Sequence, residues 1–234
     1  MGLIRLIFSN VLILALTGAF FYGCAPHRQD ISGHPETPGD KPGQLITAEG
    51  LNISAQDWAS YVQNADYILI GESHTNTCDH QVQAELINAL VQAGVMPALG
   101  LEMLDVTVQD KLDVFNAGKL EANKLADKLN WSEQWGYRFS IYAPIFELAR
   151  KYSLPVAALN LPRELIRQVR SQDINKLNKE KRSLLPERII PALKEQKESL
   201  AKVYEQHQKL MHESGSSWQR FLLVQSLWDT QMAE

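Results

Sequence analysis

The chain of 234 residues contains two cysteines, Cys24 and Cys78. That excludes a disulfide-stapled scaffold and leaves stability to a buried apolar core. A positive surplus is also missing: 23 basic against 27 acidic residues give a net charge of −4, so the electrostatic footprint of a nucleic-acid binder is absent. Several catalytic and cofactor signatures do not occur. There is no G-x-S-x-G elbow, no P-loop, no H-E-x-x-H helix and no C-x-x-C-H haem attachment run. Nor does any clean apolar run reach the about 20 residues that a spanning helix needs. The N-terminal apolar stretch is interrupted by Ser9 and Asn10.

The first 23 residues combine Arg5, an apolar segment over 11–21 and the small residue Gly23, which reads as a secretory signal peptide. The Gly23-Cys24 pair that closes it resembles the lipobox of bacterial lipoproteins. The resemblance implies cleavage before Cys24, acylation of that cysteine (palmitate among the chains) and a lipid anchor in the bacterial cell envelope. Ala25 follows, not aspartate, which by the same resemblance implies the outer membrane. Residues 24–44 are rich in Pro, Gly, Asp and His with almost no large apolar side chains. They cannot bury enough surface to offset their conformational entropy and are expected to be a flexible tether.

The folded part is expected to be α/β, a mainly parallel sheet flanked by helices with a small helical subdomain. Ser54 and Asp57 stand at capping-box spacing before a helix. Tyr67-Ile68-Leu69-Ile70 is a short apolar run that reads as a buried strand. A helix over 79–93 carries Val82, Leu86, Ala89 and Leu90 on one face and stops at Gly94. A second strand over 97–101 delivers Glu102 at its end. Strand, helix, strand is a βαβ unit, so the strands are expected to be parallel with their carboxyl ends on one edge. A helix over 141–152, with Pro144 near its first turn, and a strand over 155–159 repeat the pattern. Asn160 and Arg163 then arrive at the same edge. These elements make up an α/β domain over 45–170. Residues 171–215 read as a helical subdomain whose long helix runs over 186–213, and residues 216–234 as a helix returning to the α/β domain.

Chemistry is expected where the first strand ends. Gly71 to His80 holds Glu72, His74, Cys78, Asp79 and His80 within ten residues, and open α/β sheets bind ligands at the carboxyl ends of their strands. Glu72 and His74, joined by Glu102 from the neighbouring strand, form a carboxylate–imidazole–carboxylate set. Such a set suits a divalent metal, or a general base oriented by an acid. Asp79 has a plainer role at a helix N-terminus, and Cys78 that of a small buried side chain.

Read in order, the segments Ile70-Gly71-Glu72-Ser73-His74-Thr75-Asn76, Asp79-His80, Gly100-Leu101-Glu102-Met103, Tyr142-Ala143-Pro144-Ile145-Phe146-Glu147-Leu148-Ala149-Arg150, Leu159-Asn160-Leu161-Pro162-Arg163 and Trp228-Asp229 resemble the ChaN haem-binding lipoproteins. These belong to the wider group that includes Tiki, TraB and erythromycin esterase-like proteins. The resemblance implies haem as cofactor, a homodimer around it, an outer-membrane haem receptor as partner, and a role in haem or iron acquisition. It also implies a tyrosine as ligand to the haem iron. Tyr142 fits that role by its place in the motif, Tyr137 is the second candidate, and Arg163, Asn160 and His80 are expected around the cofactor. The alternative implied by the Tiki and esterase relatives is a metal-dependent hydrolase using Glu72, His74 and Glu102. Members of the group continue past the Trp-Asp helix into a strand ending in Gly-x-His. Nothing after Glu234 supplies it here, so the resemblance leads to the expectation of a missing last strand.

Overall fold

The computed structural model describes residues 45–211 and 217–234. The expected signal peptide, tether and Cys24 lie outside the described residues. The chain divides into two compact units, residues 1–95 and 96–234, and each is described by itself.

In the first unit, strands β1 (Leu45–Ile46) and β2 (Asn52–Ile53) form a short antiparallel hairpin. Helix α1 (Ala55–Val62) starts at Ser54 with the expected capping box: the Asp57 N–H donates to Ser54 Oγ and the Ser54 N–H to Asp57 Oδ2. The Ser54 hydroxyl, donating to Asp57 Oδ2 at 2.6 Å, and then the Ser54 N–H favour the ionised carboxyl and hold Asp57 below the usual carboxylate range. Helix α2 (Thr77–Gln92) begins at Asn76, whose side chain accepts from the Cys78 N–H. Its apolar face, Leu86, Ala89 and Leu90, packs with Leu45, Ala55 and Ala59.

The run Tyr67 to Ile70 does not form the expected strand; it has no ladder partner among the described residues. It remains extended with alternating faces. Ile68 and Ile70 pack against the core, whereas Tyr67 and Leu69 are 87% and 96% exposed. The carbonyl of Ile70 accepts from the Gln83 side chain of α2 at 3.3 Å. Local packing and one amide hold the segment where a buried strand would use a ladder on both sides.

In the second unit, β3 (Leu99–Asp105) and β4 (Val156–Asn160) pair in parallel, with Leu99 opposite Val156 and Leu101 opposite Ala158. The parallel pair and its flanking helices give the expected α/β class. Gly100 leaves room for Leu159: a Cβ there would stand 2.5 Å from Leu159 Cδ1, and that side chain would have to move. Strand β3 runs four residues past its expected end, through Met103 and Leu104. Glu102 is therefore mid-strand and exposed, and Asp105 occupies the carboxyl end. Helix α3 (Gln109–Asn116) lies along β4. The Asn116 side chain donates to the Val156 carbonyl and accepts from the Val156 N–H, both at 2.9 Å, and Gln109 Oε1 accepts from the Ala158 N–H at 2.9 Å. Two amides thus take the place of a neighbouring strand on that edge.

Short helices α4 (Leu125–Leu129) and α5 (Trp131–Gln134) lead to α6 (Phe139–Tyr152). Because α6 starts two residues earlier than expected, Pro144 sits in its second turn. Helix α7 (Arg163–Ser171) follows β4 after Pro162. Helix α8 (Lys179–Arg182), the segment up to Leu193, helix α9 (Lys194–Met211) and helix α10 (Trp218–Ala233) complete the unit. The long helix expected from residue 186 starts at Lys194, because Pro191 cannot donate within a helix and the loop N–H groups are taken elsewhere. Leu177 joins Leu161, Leu165, Ile166, Val169, Val224 and Leu227 in one buried cluster that α7 and α10 share.

Removing the Asn116 amide leaves the buried N–H of Val156 without its partner and its carbonyl with only the longer 3.4 Å bond from Gln109. Asn116→Ala is expected to lower unfolding stability by about 2 kcal/mol, read as a lower urea midpoint with unchanged slope; an unchanged midpoint would show that the amide does not hold the edge.

Candidate functional site

In the first unit, Asn76 and Asp79 shape the loop before α2. Asp79 Oδ2 accepts from the Ser73 N–H and Oδ1 from the Asn76 side chain, both at 2.8 Å. The loop curls as the spacing of Glu72 and His74 requires, and His74 Nδ1 meets Glu72 Oε1 at 2.6 Å. An ionised carboxylate only accepts, so Nδ1 carries the proton in this pair. The His74 side chain is 39% exposed and that of Glu72 is 9% exposed.

His80, expected around a cofactor, is fully buried. Its Nδ1 faces Gln83 Oε1 at 3.2 Å, and its Nε2 lies 3.5 Å from the His74 carbonyl and 3.8 Å from Glu72 Oε2. Gln83 donates its amide to Ile70, so His80 stands in a chain that joins helix α2 to both ends of the loop. It positions Glu72 and His74. Cys78 is buried in the first turn of α2. Among the described residues, no group of three or more His, Cys, Asp or Glu is placed to hold a metal ion.

In the second unit, aromatic side chains fill the corner between α5 and α6. Tyr142, expected to meet iron, is fully enclosed instead, with its ring 5.1 Å from that of Trp131. Its hydroxyl accepts from the Trp135 indole at 2.7 Å. Tyr137 lies in the loop between the helices, 37% exposed, with its ring 5.6 Å from Trp135. Gly136 makes the turn with φ of +88°, and the Trp131 indole donates to the Tyr137 carbonyl at 2.8 Å. The phenol at the surface is therefore that of Tyr137, on a backbone pinned from below.

Arg163 opens α7 and reaches back to this loop. Its Nη1 donates to the carbonyls of Glu133 and Gln134 at 3.2 and 3.3 Å. Together with Arg167 and the buried Asp105 it lines an open cavity of about 420 Å³. Asp105 accepts from the N–H and the hydroxyl of Thr107. Asn160 has a structural place: it donates to the Glu102 carbonyl at 2.9 Å and accepts from the Leu161 N–H at 2.7 Å, locking the ends of β3 and β4. Trp131, Trp135, Gln83 and Asp105 were missed by sequence reasoning. Only Asp105 left a signal, the apolar pair Met103-Leu104 that carries the strand to it.

A family profile described as haem-binding uptake, Tiki superfamily, ChaN matches residues 58–234. The chain belongs to this family. A solved structure, that of cofacial haem binding to ChaN of Campylobacter jejuni, matches with a TM-score of 0.59 at 24% identity, covering 79% of this chain and 71% of that one. It shows that the described fold is the ChaN fold. A search of curated proteins finds no match.

Proposed function

We propose that this ChaN-family chain binds ferric haem and serves haem or iron acquisition at the bacterial cell envelope, with Tyr137 as the ligand to iron. The observation that carries the choice of ligand is the contrast between the two tyrosines: Tyr137 is exposed, while the Tyr142 hydroxyl is enclosed and bonded to Trp135. Family membership supports haem as the ligand. The donor set suits it too. A phenolate oxygen is an established axial donor to ferric haem, and Arg163 and Arg167, which donate through Nη1 to the Glu133 and Gln134 carbonyls and to Glu164 Oε2, have further N–H groups that a carboxylate could take. When bound, haem supplies a ferric iron that accepts the phenolate and propionates that accept guanidinium donors. The lipobox-like Gly23-Cys24 supports the envelope and lipid-anchor part of the reading. The family resemblance is the support for the homodimer and the outer-membrane receptor included in this proposal.

Titrating ferric haem into the full chain is expected to give a saturable Soret shift, and Tyr137→Phe to weaken the apparent affinity at least about tenfold, which corresponds to roughly 1.4 kcal/mol. A flat titration of the unaltered chain, or an unchanged Tyr137→Phe titration, would contradict the proposal.

The 2.6 Å contact of Glu72 with His74 favours a second reading, a hydrolase in which Glu72 orients His74 as general base toward water. Ester hydrolysis by the full chain should then fall about a hundredfold or more in His74→Ala. Equal rates for the two proteins would remove this reading.

A further inference from the structure

The enclosed tyrosine touches both of the tryptophans that meet the exposed one. Tyr142 is fully buried, and it meets the two indoles in different ways. Its hydroxyl accepts from the Trp135 indole N–H at 2.7 Å, and its ring stands 5.1 Å from that of Trp131 at an angle of 55°. Each indole then reaches Tyr137 by its own route. Trp131 donates to the Tyr137 carbonyl at 2.8 Å and so holds the backbone. The Trp135 ring lies 5.6 Å from the Tyr137 ring at an angle of 57° and so flanks the phenol itself.

The two routes are separable. Trp131 is buried with its ring edge to face against Phe139 and Phe146, at 5.1 and 5.9 Å, so ring packing keeps it in place. Trp135 is half-buried, and the bond to Tyr142 ties the far edge of its ring to the interior. A tryptophan side chain turns about two torsions, and a hydrogen bond from Nε1 to an oxygen held inside the core restrains both. Neighbouring aromatic rings favour particular tilts over others, so a restrained indole gives the Tyr137 phenol one preferred direction. Phenylalanine at 142 would keep a ring against Trp131 and remove only the oxygen. The backbone route would then stay while the side-chain route is cut.

We propose that Tyr142 is a positioning residue for the haem ligand: acting through Trp135, its hydroxyl sets the direction of the Tyr137 phenol. The inference rests on Tyr137 as the ligand to iron. It gives the enclosed tyrosine of the motif a part in the site without any contact with the metal. A phenol that is already aimed gives up less freedom when it ligates, so its aim is read in the affinity.

The test uses the full chain with Tyr142→Phe, with Trp135→Phe and with both. In the haem-free chain carrying fluorotyrosine, the fluorine NMR resonance of Tyr137, assigned by its loss in Tyr137→Phe, is expected to shift or broaden in Tyr142→Phe. In titrations with ferric haem, Tyr142→Phe should bind about fivefold more weakly, the weight of roughly one hydrogen bond. The combined variant should bind no more weakly than Trp135→Phe alone, because both changes break one link. A urea midpoint checks that each variant is folded, and Trp135→Phe breaks the link from the other side. An unmoved Tyr137 resonance, an unchanged haem affinity in Tyr142→Phe, or a combined loss equal to the product of the single losses would overturn the inference while leaving Tyr137 as the ligand. A flat titration of the unaltered chain would remove the haem reading, and this inference with it.

Discussion

A buried indole N–H has to find an acceptor, since leaving it bare costs as much as a lost hydrogen bond. In the α5–α6 corner the buried indole of Trp131 and the half-buried one of Trp135 both find an acceptor, and their choices distribute the tyrosines. Trp135 takes the Tyr142 hydroxyl, and Trp131 takes the carbonyl of Tyr137. The first bond engages the phenol that the motif singles out, on a side chain that is fully buried. The second pins the backbone of the neighbouring tyrosine while its side chain stays at the surface. Around them Phe139 and Phe146 stack on one another and meet the Trp131 ring edge to face. Moving either indole would disturb a packed aromatic cluster, and it is this packing that encloses Tyr142 while Tyr137 stays at the surface.

A similar economy governs the edges of the second unit. Asn116 and Gln109 satisfy β4 where another strand would otherwise be needed, and Asn160 ties the ends of the two strands together. Side-chain amides thus perform work that in larger sheets falls to backbone. In the first unit Gln83 does the same for Ile70, and through His80 it carries the order of helix α2 into the loop that holds Glu72 and His74. Even the buried hydroxyls of α10 serve backbone N–H groups of a loop.

Much of this was legible in the residues. The Ser54–Asp57 box, the parallel relation of the strands at 99–105 and 156–160, and the last helix at 218–233 follow from local patterns that packing reinforces. Glu72 and His74 were visible as neighbours on one loop, but their contact was not, because the curl that joins them rests on Asp79 and Asn76. Other features were hidden for identifiable reasons. An apolar run such as Tyr67 to Ile70 looks the same whether both faces are buried or one, and only tertiary contacts separate the cases. The helix at 194–211 lost its first turns to Pro191, whose effect a wide apolar stripe concealed. The burial of Tyr142 could not be read at all, because it depends on Trp135, seven residues away across a turn set by Gly136.

The central claim, that haem meets the exposed phenol and not the enclosed one, is tested most directly by resonance Raman spectroscopy of the ferric haem-loaded full chain. Excitation into a phenolate-to-iron charge-transfer band enhances the ring vibrations of the ligating tyrosine alone. Those bands should persist in Tyr142→Phe and vanish in Tyr137→Phe; bands that vanish in Tyr142→Phe and persist in Tyr137→Phe would contradict the account.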